Sequence, residues 1–321
     1  MSIKTTHTSP SLDMNKLNIL LHKAVINYAN CPSKTLTKKL TWILHKTYKQ
    51  FLIFLIFKLK ILPVKVKRKT FWGEEITMIG IRPYSLYNAG YIGNDDLFVT
   101  KYLINSLNKD NVFIDVGANI GFFTLMASNL VGNSGQIYAF EPIPSTYEYL
   151  KSNVSEKSNV NIYQIGIHNK TGVSEILDFG IYNNFYNSLG ELKKLTSQLS
   201  DLRGNVDVIK YMVNTITLDE FCIQNNVTPD IIKLDTEDTE DLILSTSLET
   251  IKKTRPEVIF EMFNLSVQEG RLEKIISTFS PLGYSCYQFR EKNIIPVKSE
   301  KDVDLKYYNY LLTTKRAPTY N

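Results

Sequence analysis

The segment Asn111–Pro142, NVFIDVGANIGFFTLMASNLVGNSGQIYAFEP, constrains the fold of this chain most strongly. It opens with an apolar, β-branched run, Val112–Val116, which is typical of a buried strand. A turn of small residues, Gly117–Gly121, follows, and apolar residues then recur at helical spacing from Phe122 onward. A second apolar strand, Gln136–Phe140, closes the segment. The pattern predicts a βαβ unit, with glycines at the first strand-to-helix turn.

The turn and the second strand carry features of a nucleotide site. Glycines let the backbone come close to a ligand, and a helix N-terminus offers free N–H groups. Glu141 ends the second strand, about 20 residues beyond the turn, where a carboxylate can accept hydrogen bonds from ribose hydroxyls. Asn119 occupies the place of the middle glycine of the GxGxxG fingerprint and leaves less room for a pyrophosphate. A ligand with a ribose but no phosphates is therefore favoured, and S-adenosylmethionine is such a ligand.

The residues DVGANIGFFT, followed by YAFEPIP, resemble the FkbM-type family of class I S-adenosylmethionine-dependent methyltransferases. Three further blocks match the family in the same order, and they are Ile216–Phe221, Ile231–Glu237 and Arg255–Glu261. The resemblance covers residues 91–287. It implies S-adenosylmethionine as cofactor and O-methylation, commonly of a sugar hydroxyl in a polysaccharide, glycolipid or other secondary metabolite.

Strands alternate with helices after residue 90, which predicts a three-layer α/β sandwich. The last two strands, Gly283–Phe289 and Tyr307–Thr313, are expected to form an antiparallel pair. The resemblance implies a Rossmann-like class I methyltransferase fold, with a mostly parallel sheet that ends in an antiparallel strand. We predict a basic helical N-terminal extension over residues 1–70 and an FkbM-like methyltransferase domain over residues 71–321. Within that domain, residues 180–205 are expected to form an insertion or lid.

The N-terminal extension holds the basic charge of the chain. Residues 14–73 contain thirteen Lys and Arg and no acid, although the whole chain has a net charge of only +5. Its most apolar run, Phe51–Phe57, is too short for a bilayer span of about 20 residues. Flanking lysines make peripheral membrane contact through residues 46–69 one interpretation. The alternatives are a helix packed on the domain with solvated lysines, and a surface for a protein partner.

Charge and cysteine content limit the partners and the compartment. The remainder of the chain is mildly acidic, which argues against nucleic acid as a partner. Three cysteines form no close pair, which favours a reducing compartment. The sequence start shows no secretory signal. We therefore predict a cytoplasmic protein that could also lie at the periphery of the membrane.

The candidate cofactor residues lie where the carboxyl ends of parallel strands would meet. Asp115 could bond the amides of the turn or the methionine ammonium, or could simply structure the turn. The glycines could allow close approach of a ligand or serve a steric role in the turn. The predicted cofactor-binding residues are Asp115, Gly117, Ala118, Asn119, Gly121, Glu141, Pro142 and Asp235.

Asp235 and Glu237 are the candidate catalytic residues, since either could act as a general base or orient an acceptor hydroxyl. They match the family pattern Asp-x-Glu-Gly-x-Glu, but Asp238 replaces its glycine, which leaves the turn geometry open. Clustered carboxylates could bind a divalent cation. No histidine lies nearby, and we predict no metal. The resemblance also places an acid near the cofactor at Asp95 or Asp96.

Three rival functions stay open at this point. The first is an NAD-type oxidoreductase on a similar fold, although the missing middle glycine argues against it. The second is a non-catalytic scaffold that binds a cofactor or partner, for which Asp238 is the support. The third is an N-methyltransferase, because nothing in the sequence identifies the acceptor atom.

Overall fold

The computed structural model describes residues 14–29, 65–79, 86, 89–93, 96–178, 209–291 and 293–315. The predictions for Phe51–Phe57, residues 180–205 and Asp95 lie outside these residues. The helices are α1 (Met14–Ala29), α2 (Asp96–Ser106), α3 (Phe122–Val131), α4 (Pro144–Asn153), α5 (Leu218–Gln224), α6 (Glu240–Ser245), α7 (Leu248–Thr254), α8 (Asn264–Gln268) and α9 (Arg271–Phe279). The strands are β1 (Lys65–Lys69), β2 (Glu75–Ile79), β3 (Val112–Val116), β4 (Gln136–Phe140), β5 (Val160–Tyr163), β6 (Gly166–Ile167), β7 (Gly172–Asp178), β8 (Ile209–Ile216), β9 (Ile231–Leu234), β10 (Glu257–Glu261), β11 (Ser285–Phe289), β12 (Ile294–Val297) and β13 (Asn309–Thr313).

Eight strands form the central sheet in the order β12-β11-β13-β10-β9-β3-β4-β5. The five strands from β10 to β5 are parallel, whereas β13 pairs antiparallel with β10 and with β11. The predicted mostly parallel sheet with an antiparallel end is therefore confirmed. Strand β12, which was not predicted from the sequence, extends that end by pairing antiparallel with β11.

Alternating side chains of the strands build a core on each face of the sheet. Phe113 points to the face covered by α1 to α4, and Ile114 points to the face covered by α5 to α9. Both side chains are fully buried. Apolar residues on both faces explain why these strands read as continuous hydrophobic runs rather than as alternating patterns. The three-layer sandwich follows from this arrangement.

Helix α1 packs on the core that α2, α3 and α4 form on one face of the sheet. Leu17 and Leu21 of α1 are each 1% exposed, and Asn18 Nδ2 donates to Asn105 Oδ1 of α2 at 2.9 Å. The hairpin β1–β2 spans the predicted boundary at residue 70, because its strands pair antiparallel on either side of it. The division into extension and domain stays a prediction. Within the described residues, no helix combines the length and apolarity needed to cross a bilayer.

The order of the sheet fixes where a ligand can bind. From β3 the chain runs outward to β4 and β5, and it later resumes on the other side of β3 with β9 and β10. The switch point therefore lies between β3 and β9, and ligands of open α/β sheets bind beyond the carboxyl ends at such a point. A small sheet in the order β6-β8-β7 stands beside this edge.

Candidate functional site

A cleft opens at the switch point and encloses about 950 Å³ of empty space, part of it open to solvent. The turn after β3, the tips of β4 and β9, and residues 165–167 line it. Seven of the predicted site residues lie in this lining, namely Gly117, Ala118, Asn119, Glu141, Pro142, Asp235 and Glu237. The structure thus brings together residues that are more than one hundred positions apart in the sequence.

Backbone amides hold the carboxylate of Glu141 in place. Its Oε2 accepts from the N–H of Asn119 at 3.1 Å, and its Oε1 accepts from the N–H of Ile143 at 2.9 Å. The side chain is 6% exposed. Each oxygen of a carboxylate has two lone pairs and can accept more than one hydrogen bond.

The two glycines of the turn pack against protein atoms. Gly117 has a φ of +77°, and a Cβ there would lie 1.8 Å from the carbonyl oxygen of Asp235. Gly121 has a φ of +89°, precedes α3 and lies outside the cleft lining; a Cβ there would meet Leu150 Cδ1 at 2.8 Å. Both positions therefore have a steric reason for glycine, and the close approach of a ligand at Gly117, which lines the cleft, stays a prediction.

Asp115 lies beneath the cleft rather than in its lining. It is 1% exposed, and its Oδ2 accepts from Thr124 Oγ1 at 2.6 Å. Its Oδ1 is buried and has no hydrogen-bond partner among the described residues. Burial raises the pKa of this carboxyl, while Lys233 and the bond from Thr124 oppose the rise.

Lys233 is a buried cation that the sequence analysis did not select. It is 2% exposed; its Nζ lies 2.7 Å from Asp235 Oδ2 and 4.7 Å from the ring centre of Phe123. Asp115 is its register partner on β3. Burial lowers the pKa of Lys233, but the neighbouring carboxylates of Asp235, Asp115 and Asp96 outweigh that effect and raise it. The sequence feature that could have identified Lys233 is its position as the charged residue within the apolar strand β9, two residues before Asp235 and on the same face.

Three carboxyl groups converge at the tips of β9 and β10. Oxygens of Asp235, Glu237 and Glu261 lie within 4.8 Å of one another. Burial, followed by repulsion from Asp235, raises the pKa values of Glu237 and Glu261 well above their usual range. Carboxyls at this spacing can share protons or bind a divalent cation. Asp96, one of the two predicted acids, lines the same cleft.

Glu240 stabilises the loop that follows β9 through hydrogen bonds to Thr236. It is 1% exposed, and its Oε1 accepts from the N–H of Thr236 at 2.6 Å and from Thr236 Oγ1 at 2.9 Å. Burial raises the pKa of Glu240 to about 7, although these hydrogen bonds oppose the rise. Burial thus raises the pKa values of three neighbouring carboxyl groups, those of Glu237, Glu240 and Glu261.

The sequence model of the methyltransferase FkbM domain matches residues 115–286, which is more than half of the chain. The chain belongs to the FkbM methyltransferase family. This matched region contains every predicted cofactor-binding and catalytic residue. Membership makes the protein one of a family of S-adenosylmethionine-dependent methyltransferases.

Solved structures provide a second comparison for this FkbM family member. It aligns with a methyltransferase FkbM from Methylobacillus flagellatus at 14% identity and a TM-score of 0.41, over 64% of this chain and 44% of that one. It thus spans less than half the length of that protein. An S-adenosylmethionine-dependent O-methyltransferase from Thermotoga maritima aligns at 12% identity and a TM-score of 0.37, over 80% of each chain. Fibrillarin from Aeropyrum pernix, solved with natively bound S-adenosylmethionine, aligns at 10% identity and a TM-score of 0.34, over 64% of this chain and 67% of that one. No curated protein sequence matches the chain.

Proposed function

We propose that the cleft binds S-adenosylmethionine and that the protein methylates a hydroxyl group, with a sugar or glycan-type molecule as acceptor. The observation that carries the cofactor assignment is Glu141. Its carboxylate is oriented by two backbone amides, lies in the cleft lining, and stands at the tip of the strand next to β3. A carboxylate at this place can accept from both hydroxyls of a ribose.

The rest of the cleft fits the other parts of the cofactor. The apolar side chains of Phe140, Ile143 and Ile167 offer a surface for a purine ring. Asp115 is buried beneath the cleft, where it supports the turn that lines the proposed cofactor site. When bound, S-adenosylmethionine supplies an electrophilic methyl group on a sulfonium.

The carboxyls of Asp235 and Glu237 are proposed to bind and activate the acceptor hydroxyl. A hydroxyl nucleophile needs a partner that accepts its proton as it attacks, and a general base works best with a pKa near the operating pH. Burial and repulsion from Asp235 raise the pKa of Glu237, which makes its carboxylate a stronger proton acceptor. Asp235, paired with Lys233, is suited to orient the hydroxyl by accepting its hydrogen bond. A sugar offers neighbouring hydroxyls to several such acceptors at once, and the family resemblance favours the same class.

The location of the reaction is a separate proposal. Of the predicted membrane-contact segment 46–69, the structure describes residues 65–69, and Lys65, Lys67 and Lys69 are exposed along β1. We propose a cytoplasmic protein whose basic segment contacts anionic lipid and brings lipid-linked acceptors to the cleft. Sedimentation with vesicles of anionic phospholipid tests this, and equal sedimentation with neutral vesicles would contradict it.

Calorimetric titration with S-adenosylhomocysteine tests the cofactor assignment. We expect binding to the native chain and a loss of roughly 10- to 100-fold for Glu141→Ala, because hydrogen bonds to a charged group contribute about 1.5–3 kcal/mol. Glu141→Gln, which keeps one acceptor oxygen, should fall between. Glu148→Ala, on the exposed side of α4, is the matched control. Binding of NAD in place of S-adenosylhomocysteine would overturn the proposal.

A further inference from the structure

The loop after β9 has an unusual backbone. Glu237 has a φ of +56° and Asp238 a φ of +85°, so two consecutive residues with side chains adopt the left-handed region. Such a conformation suits glycine and is unfavourable for most other residues. Position 238 is also where the family pattern has its glycine. Something other than intrinsic preference must hold Asp238 in this conformation.

Arg271, the first residue of α9, binds Asp238 at two points. Its Nη1 lies 2.6 Å from Asp238 Oδ1, and its Nη2 donates to the backbone oxygen of Asp238 at 2.7 Å. Nη2 also donates to Asp241, and the hydroxyl of Ser266 donates to Asp238 Oδ1. Arg271 Nη1 in turn donates to Ser266 Oγ at 2.8 Å. The side chain and the main chain of Asp238 are therefore fixed to the same guanidinium.

We propose that Asp238 and Arg271 form a clamp that positions the carboxyl of Glu237 beside Asp235 and Glu261. The two contacts hold the side chain and the carbonyl of Asp238, and they therefore stabilise the left-handed conformation of residue 238. A change of conformation at residue 238 would shift the adjoining Glu237 and its carboxyl. The inference rests on the proposed function, in which Glu237 serves the acceptor, but its structural content does not depend on cofactor binding.

The titration of Glu237 reports its position directly. Its pKa reflects burial and the surrounding Asp235, Glu240, Asp96 and Lys233, so the carboxyl must stay in the cleft to keep its raised value. Carbon-13 NMR of protein labelled at the glutamate side-chain carboxyl, assigned with Glu237→Gln, follows this group alone. A role confined to stability would leave the titration of the folded protein unchanged.

We expect the pKa of Glu237 to fall toward the ordinary glutamate range in Asp238→Gly, and to fall further in Arg271→Gln. In Arg271→Gln the aspartate keeps its unfavourable conformation without a partner. Adding Asp238→Gly to Arg271→Gln should raise the melting temperature, whereas Asp238→Gly alone should lower it. Arg255→Gln is the matched control, since Arg255 also donates to a backbone oxygen and lies over a tyrosine ring.

An unchanged Glu237 titration in Asp238→Gly would overturn the clamp. Changes in melting temperature for Asp238→Gly and Arg271→Gln that are additive in the double variant would also overturn it. Asp238→Gly is compatible with folding because glycine adopts this φ readily. Arg271→Lys, which keeps the charge but not the two-point contact, should lie between the native chain and Arg271→Gln. Failure of S-adenosylhomocysteine to bind the native chain would overturn the proposed function and leave the clamp measurements valid.

Discussion

Two halves of one cleft are built on different physical principles. The cofactor half comprises the turn after β3 and residues 141–143, and backbone amides orient its single carboxylate, Glu141. The acidic half comprises Asp235 and Glu237 in the cleft lining, with Glu261 and Glu240 beside them, and the buried ion pair between Lys233 and Asp235 belongs to it. Backbone donors keep their charge state at every pH, whereas carboxyls that repel one another respond to protons. The proposed cofactor half therefore depends on backbone donors whose charge does not change with pH, and it lies beside a half with several interacting carboxyls.

The two halves contact each other where Gly117 packs against the backbone of Asp235. Gly117→Ala would place a Cβ 1.8 Å from the carbonyl oxygen of Asp235, and this backbone must then move. We expect the free energy of unfolding to fall by about 4 kcal/mol, a loss in the upper range for point substitutions. Urea unfolding measures it.

Gly132→Ala is the control for this substitution. Gly132 also has a positive φ, +72°, but nothing lies within 4 Å of its Cβ position. It should therefore lose only the conformational cost of a backbone region that favours glycine, about 2 kcal/mol. Equal losses for the two variants would show that the contact between the halves is unimportant.

The second change removes the cation of the acidic half. Lys233→Met leaves Asp115 and Asp235 without their buried positive partner, and removing one member of a buried pair costs about 3 kcal/mol. Urea unfolding of Lys233→Met and of Lys252→Met, on the exposed side of α7, provides the comparison. If both variants lost equal stability, the charge balance of the acidic half would be refuted.

The elements of the cofactor half could be predicted from the sequence more completely than those of the acidic half. The bounds of β3 and β4 could be predicted to the residue, because buried parallel strands read as unbroken apolar runs between turn signals. Glu141 could be placed for the same reason, as the acid that ends such a run. Local sequence patterns alone were therefore enough to predict β3, β4 and the position of Glu141.

The acidic half was only partly visible. Asp235 and Glu237 follow β9 directly, but Glu261 comes from β10, and Asp238 is held by Arg271 from α9. Nothing local to Arg271 signals that it binds Asp238, since that contact forms only when α9 packs beside the tip of β9. Long-range charge pairing requires the folded topology.

The third prediction uses the pH response of the acidic half. Glu240 has a folded pKa of about 7 against an ordinary value of 4.5, so the folded chain keeps a proton that the unfolded chain releases. Its contribution to stability is present below about pH 4.5 and is lost as the pH rises through 7. Glu240→Gln cannot ionise, so the decline in stability from pH 5 to pH 8 should shrink by about 2 kcal/mol.

Urea unfolding at both pH values checks this, with Glu249→Gln as an exposed control. An identical decline in Glu240→Gln and the native chain would mean that Glu240 is not the proton-holding group.

The smallest expected effect concerns metal ions. We predict that S-adenosylhomocysteine binds in the cofactor half without a divalent cation, so treatment with EDTA should change its affinity less than about twofold, or 0.4 kcal/mol. Calorimetry with and without EDTA, and then with added magnesium, makes the measurement. A tenfold loss on chelation would assign the carboxyls of the acidic half to a metal.

A crystal structure with S-adenosylhomocysteine tests the division of the cleft most directly. We expect the ribose hydroxyls to donate to the carboxylate of Glu141, and we expect the sulfur to face the carboxyls of Asp235 and Glu237. A ribose bound elsewhere, or a sulfur directed away from the acidic half, would contradict it.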